Sequence, residues 1–167
     1  MKSIFLKPGK EESLKRFHPW VFSGAIHHMS EEPEEGEIVS VYTHKNEYIA
    51  TGHFQIGSIM VRVLSFEKEA IDQDFYERKL TIALDVRRRI GIIGNNNNTY
   101  RLVHGEGDNL PGLVIDVYGH TAVMQAHSVG MHKDRKILAS ALKNVMGDEV
   151  HNIFYKSETT LPYKADL

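Results

Sequence analysis

The feature that most constrains the fold is the stretch Arg101–Gly119, reading RLVHGEGDNLPGLVIDVYG. Two short apolar runs, Leu102-Val103 and Leu113-Val114-Ile115, flank a polar loop from His104 to Gly112. Glycine, asparagine and aspartate supply backbone conformations with positive φ, and Pro111-Gly112 is a strong turn signal. A second turn at Tyr118-Gly119-His120 leads into another strand, Thr121–Ala126. The pattern is strand, polar loop, hairpin. Such a loop holds polar side chains in a fixed shape at the end of a sheet, where binding groups tend to sit.

Before this stretch the chain reads as short strands. Ser3–Leu6 is an apolar run closed by Lys7-Pro8-Gly9-Lys10, and Glu11–Phe17 fits a short helical turn. Pro19 disfavours helix at His18, and the run Trp20–Ile26 reads as a strand. An acidic loop, Glu31–Glu37, carries five glutamates. Strand candidates follow at Glu37–Thr43, Glu47–Phe54 and Ser58–Phe66, a spacing that argues for a small barrel or sandwich. From Asp74 to Ile90 the apolar residues Phe75, Leu80, Ile82, Ala83, Val86 and Ile90 fall near helical spacing. Asp72 or Asp74 is a plausible N-cap, and Arg87, Arg88 and Arg89 suit the last turn. The run Asn95–Asn98 reads as a mobile surface loop. Ser128 can cap a second helix, Met131–Met146, and Val150–Tyr155 is a last strand.

The expected organisation is a β-rich domain over residues 1–70 and a domain of helix, three strands, helix and strand over 71–160. Residues 161–167 are expected to act as a linker. The chain has 167 residues, a net charge of −2 and 25% charged residues. That balance gives no general attraction to nucleic acid, so any such case rests on local patches. There is no cysteine, which rules out disulfides, thiolate zinc sites and a cysteine nucleophile among these residues. No apolar run approaches the roughly 18 residues of a membrane span, and a cytoplasmic setting is expected.

Two sets of residues together resemble a known family. Near the start these are Arg16 with His18-Pro19-Trp20-Val21-Phe22-Ser23-Gly24-Ala25-Ile26. Some eighty residues later come Arg101-Leu102-Val103, Gly105-Glu106, Asp108, Leu110-Pro111-Gly112-Leu113 and Ile115-Asp116. The chain resembles the N-terminal portion of bacterial 23S rRNA cytosine-5 methyltransferases of the class I, S-adenosylmethionine-dependent type. The resemblance implies an α+β fold: a small PUA-like β-barrel that binds RNA, then a central α/β sandwich. It implies a catalytic Rossmann-like domain that is absent from this chain, because no glycine-rich cofactor loop follows a strand and no Pro-Cys nucleophile exists. S-adenosylmethionine is then expected as the cofactor of the whole protein, with none bound by this chain, and ribosomal RNA as the partner. The chain is expected to be a non-catalytic fragment that positions 23S rRNA, with a stand-alone RNA-binding module as the alternative.

Candidate contacts follow. Lys2, Lys7, Lys10, Lys15 and Arg16 face only Glu11 and Glu12 in the first 29 residues, and could grip phosphates if they share one face. Solvated surface charge is the bland alternative. By resemblance, Lys7, Lys10, Arg16 and His18 lie where RNA would run. Trp20 and Phe22 share one strand face and could stack on bases, although a lone tryptophan is more often core. Arg62 is either exposed or RNA-facing, and Arg88 belongs to a possible second basic patch on the helix. Glu106, Asp108 and Asn109 are expected, by resemblance, to line a domain cleft. His104, Glu106 and Asp108 alternate as metal ligands could, but a turn-stabilising role is preferred and no metal is expected.

Overall fold

The computed structural model describes residues 1–94 and 96–161. Asn95 and residues 162–167, most of the expected linker, lie outside the described residues. Two compact units are present, Met1–Ala70 and Ile71–Leu167.

The first unit contains β1 (Lys2–Leu6), α1 (Glu12–Lys15), β2 (Trp20–Phe22), β3 (Ile26–Met29), β4 (Ile38–Tyr42), β5 (Tyr48–Phe54) and β6 (Ile59–Ser65). The strands form one sheet in the order β2-β6-β5-β4-β1-β3. All neighbours are antiparallel except β1 and β4, which run parallel. The core is Ile4, Leu6, Leu14, Val21, Val39, Val41, Ala50, Phe54, Val61 and Val63. The alternation of β6 sets its sides: Val61 and Val63 are buried while Arg62 is half-buried. Gly52 of β5 sits where a Cβ would come within 2.2 Å of the Arg62 carbonyl oxygen, so only glycine fits.

The expected strand from Trp20 to Ile26 is interrupted. A 3-10 turn at Ser23–Ala25 breaks it, and the residues beyond form β3, which pairs with β1. A local reading of aromatic and β-branched residues does not register that second pairing, which lies across the sheet.

The second unit contains α2 (Gln73–Arg89), β7 (Thr99–His104), β8 (Leu113–Tyr118), β9 (Thr121–Ala126), α3 (Val129–Lys133), α4 (Arg135–Met146) and β10 (Asn152–Tyr155). Its sheet order is β10-β9-β8-β7, with β10 parallel to β9 and the other pairs antiparallel. The parallel pair requires a crossover, which α3 and α4 supply. The Asp72 side chain accepts a hydrogen bond from the Phe75 amide at 3.0 Å and caps α2. Phe75, Tyr76, Leu80, Ala83 and Leu84 of α2 are buried, as are Leu138, Ala141 and Leu142 of α4. Ile82, Val86 and Ile90 are exposed instead.

The single helix expected over Met131–Met146 is two helices, divided at Asp134. The Tyr76 hydroxyl of α2 donates to the Asp134 carboxylate at this break. Burial and that carboxylate push the tyrosine well above its ordinary value. The asparagine run expected to be mobile is hydrogen-bonded in its described part. Asn97 Nδ2 donates to the Ile92 carbonyl at 2.7 Å, Asn97 Oδ1 accepts from the Thr99 amide, and the Asn98 carbonyl accepts from the Gly119 amide.

Candidate nucleic-acid interface

In the first unit, α1 ends in a hook. Phe17 takes a left-handed conformation, φ 61°, and is 73% exposed. Its amide donates to Leu14 O, and the His18 amide donates to Ser13 O. A left-handed phenylalanine is strained by about 1–3 kcal/mol. The hook turns the chain into Pro19 and β2, the edge strand, and there His18, Trp20 and Phe22 cluster. The His18–Trp20 ring centroids lie 5.7 Å apart, and the other two pairs 6.1 Å apart, with Trp20 and Phe22 nearly perpendicular. His18, itself exposed, accepts at Nδ1 from the Trp20 amide at 3.2 Å.

Trp20 is only half-buried, not the core residue that a lone tryptophan usually is. The reason is register. Val21 pairs with Val61 over the core, which sends Trp20 to the opposite side, directly across from Arg62. A register shift then re-aims Phe22, which is 46% exposed.

The cations sort themselves by partner. Lys2 is paired with Glu37 at 3.0 Å, which raises the lysine, while the Glu34 amide and Lys2 lower Glu37. Together with the Ile56 amide donating to Glu35, this gives the acidic loop a structural role. Lys15 pairs with Glu12. Lys7 Nζ donates to the Gly24 carbonyl at 3.0 Å, and Arg16 Nε to the Glu12 carbonyl at 3.3 Å. Among the described residues, Lys10 and Arg16 are engaged by no carboxylate. Lys10 lines the same cavity as Trp20 and Phe22. The structure therefore brings Lys10 together with Trp20 and Phe22, His18 with both rings, and Arg62 opposite Trp20. The sequence marked Gly24 only as a member of the His18–Ile26 motif and did not mark Phe17, for which the aromatic residue before His-Pro was the available signal.

In the second unit the loop after β7 is a 3-10 turn, Gly105–Asp108, with Asn109 left-handed at φ 56°. Glu106 and Asn109 are exposed. Asp108 is not open: Arg87 grips both its oxygens, with Nη2–Oδ2 at 2.7 Å. Its Oδ2 also accepts from the His104 amide at 2.6 Å. Arg88 is paired with Glu149, and Arg101 binds Asp116 through two nitrogens. His104 Nδ1 turns to Arg101, so His104, Glu106 and Asp108 do not converge. Among the described residues no group of three or more histidine, aspartate or glutamate side chains is placed to hold a metal ion. No helix among them is long and apolar enough to cross a membrane.

The first unit is similar to the PUA-like domain family, whose model matches residues 4–66. Over most of its length the chain is similar to a share, about two fifths, of proteins named ribosomal RNA large subunit methyltransferase I. It is 43% identical to the Shewanella amazonensis protein over 145 residues, 83% of this chain and 35% of that protein. It is 38% identical to the Aliivibrio fischeri protein over 171 residues, 99% of this chain and 41% of that protein. The chain thus spans about two fifths of the relatives it matches. Among solved structures, a candidate SAM-dependent methyltransferase from Streptococcus mutans superposes at a TM-score of 0.80 and 17% identity, over 94% of this chain and 41% of that one. A second solved candidate methyltransferase, complexed with SAH, gives the same score and identity.

This likeness corrects the expected fold class, an α+β barrel and sandwich with the catalytic Rossmann-like domain absent. Over 94% of its length the chain, its mixed four-stranded sheet included, superposes on about two fifths of a solved candidate methyltransferase, so its fold is the one shared with that part of such chains. The expectation inferred an absence from missing motifs, a glycine-rich loop and a cysteine. Fold is set by strand order and packing, which those motifs do not report.

Proposed function

We propose that this chain recognises large-subunit ribosomal RNA for S-adenosylmethionine-dependent methylation, with carbon 5 of a cytosine as the methyl acceptor. The observation that supports it is the face of the first unit where His18, Trp20 and Phe22 cluster and the carboxylate-free Lys10 lines a cavity with Trp20 and Phe22, Arg16 being likewise without a carboxylate. Cations hold phosphates, and exposed rings stack on bases. The relatives' names and the PUA-like match point to the same partner. Lys7, Lys10, Arg16, His18 and Arg62 are the residues proposed to contact RNA there. Arg88 is proposed to contact RNA by exchanging its exposed pairing with Glu149 for a phosphate. Glu106 and Asn109 are proposed to orient RNA from the loop, and Asp108 to hold that loop in shape.

S-adenosylmethionine would supply the methyl group. The groove of about 620 Å³ beside Ile82, Tyr100 and Asn109 does not fit it on its donor set, because the Asp108 oxygens are held by Arg87 and the His104 amide. No reaction step is routed through that groove. Cytosine-5 methylation uses a thiolate nucleophile, and this chain has no cysteine. Its own residues bind and orient.

The test is binding of the chain to a large-subunit rRNA fragment across a salt series, beside Lys10→Ala/Arg16→Ala. Affinity is expected to fall steeply with salt. The slope of log K against log salt should be shallower in the variant by roughly 1.5, from two lost phosphate contacts. Equal slopes, or no binding at low salt, overturn the reading.

A further inference from the structure

We propose that the cavity beside Trp20 receives a single unpaired RNA base. This rests on the reading of that face as RNA-binding and adds which part of the RNA it selects. The cavity has a volume of about 280 Å³. That is near the small end of ligand pockets, roughly 300–1,000 Å³, and suits one planar ring system better than a whole nucleotide. Its floor is Leu14 and Val21, each 2% exposed. Its walls are Trp20, Phe22 and the backbone at Gly24, and Lys10 and Ser13 stand at its polar side. An apolar recess with few polar groups matches a nucleobase, which has two apolar faces and a polar edge.

Three further observations favour a base over other occupants. Phe22 is 46% exposed and perpendicular to Trp20, so the two rings offer a face and an edge to one guest, and aromatic stacking is sequence-tolerant. Lys10 is engaged by no carboxylate among the described residues, and a splayed base brings its own phosphate to such a cation. The wall is braced, because Lys7 Nζ donates to the Gly24 carbonyl at 3.0 Å. Bases inside a duplex are stacked on both faces and cannot enter. The cavity therefore selects loops, bulges and ends.

Gly24 supplies the test. A Cβ built there meets nothing within 4 Å, and its backbone is not in the left-handed region. Gly24→Leu should fill the recess without displacing the wall. Three hairpin RNAs are compared by fluorescence anisotropy: one with a single unpaired uridine, one with an abasic residue at that position, and one fully paired. The wild-type chain is expected to prefer the unpaired uridine on the order of tenfold over the abasic RNA, from the strength of base–aromatic stacking. Gly24→Leu should erase that preference while keeping the abasic affinity and its salt dependence. Phe22→Ala, checked for folding by circular dichroism, should also erase it and stands in should Gly24→Leu fail to fold. Equal wild-type binding of uridine and abasic RNAs overturns the cavity proposal and leaves RNA recognition standing. So does a folded Gly24→Leu or Phe22→Ala that keeps the full preference. Failure of the wild-type chain to bind any of the three at low salt overturns the RNA reading itself.

Discussion

Asp108 sits in the most motif-like loop of the chain, and its chief partner is Arg87. The two side chains are 8% and 12% exposed. Arg87 meets both carboxylate oxygens and also donates from Nε to the Arg101 carbonyl at 3.1 Å, so the pair ties α2 to β7. Asp108→Ala strands a largely buried guanidinium. Removing one partner of a buried pair costs about 3–5 kcal/mol. The His104 amide also loses its acceptor, a loss of about 1–3 kcal/mol where water is excluded. His104 is exposed, so water replaces much of that bond and the total should be about 4 kcal/mol. Arg87→Met/Asp108→Leu removes both charges and leaves apolar side chains in their place. It should cost no more than about 2 kcal/mol, because apolar replacements of buried pairs are often near neutral. Urea unfolding followed by far-ultraviolet circular dichroism gives the magnitudes. Hydrogen exchange locates the change, which should fall on α2, β7 and residues 104–112. A loss below about 1 kcal/mol for Asp108→Ala would refute the reasoning, as would a double variant that costs the sum of the two single ones.

Gly112 has φ +85°, and a Cβ there would lie 2.5 Å from Ser128 Oγ, the atom that accepts from the Met131 amide to cap α3. Gly112→Ala should cost about 2–4 kcal/mol by urea unfolding, through strain and displacement of the cap. Burial, with Arg135 adding to it, holds the His132 imidazole below its ordinary value. The unfolded chain then takes up the proton first. The stability that the neutral ring confers is complete above about pH 6.5, and it is lost as pH falls below that value. Thermal unfolding between about pH 7 and 5 should show this decline, and His132→Gln should flatten it; an unchanged profile would remove His132 from the account.

The elements most legible in the sequence are those whose signals are local. Asp72 and the arginines Arg87–Arg89 bound α2 within a residue of its observed ends, because caps and helix dipoles act inside one turn. The hairpin of β8 and β9 follows from Tyr118-Gly119 for the same reason. What the sequence does not show is set by distant partners. The split at Asp134 answers to Tyr76, 58 residues away. The parallel pairing of β1 with β4 depends on a strand more than thirty residues off. The same distinction governs the site. Counting charges marks the first 29 residues and the Phe75–Ile90 helix as equally basic, but pairing is a tertiary property. Lys2 goes to the acidic loop, Arg87 to the 104–109 turn and Arg88 to Glu149. Arg87 is thereby withdrawn from solvent, whereas Lys10 and Arg16 are left with no carboxylate, and Lys10 lines a cavity with rings that β2's register turns outward. An unengaged cation next to an exposed aromatic ring is a stronger sign of a nucleic-acid surface than a run of arginines, because the run's net charge says nothing of which members are already neutralised.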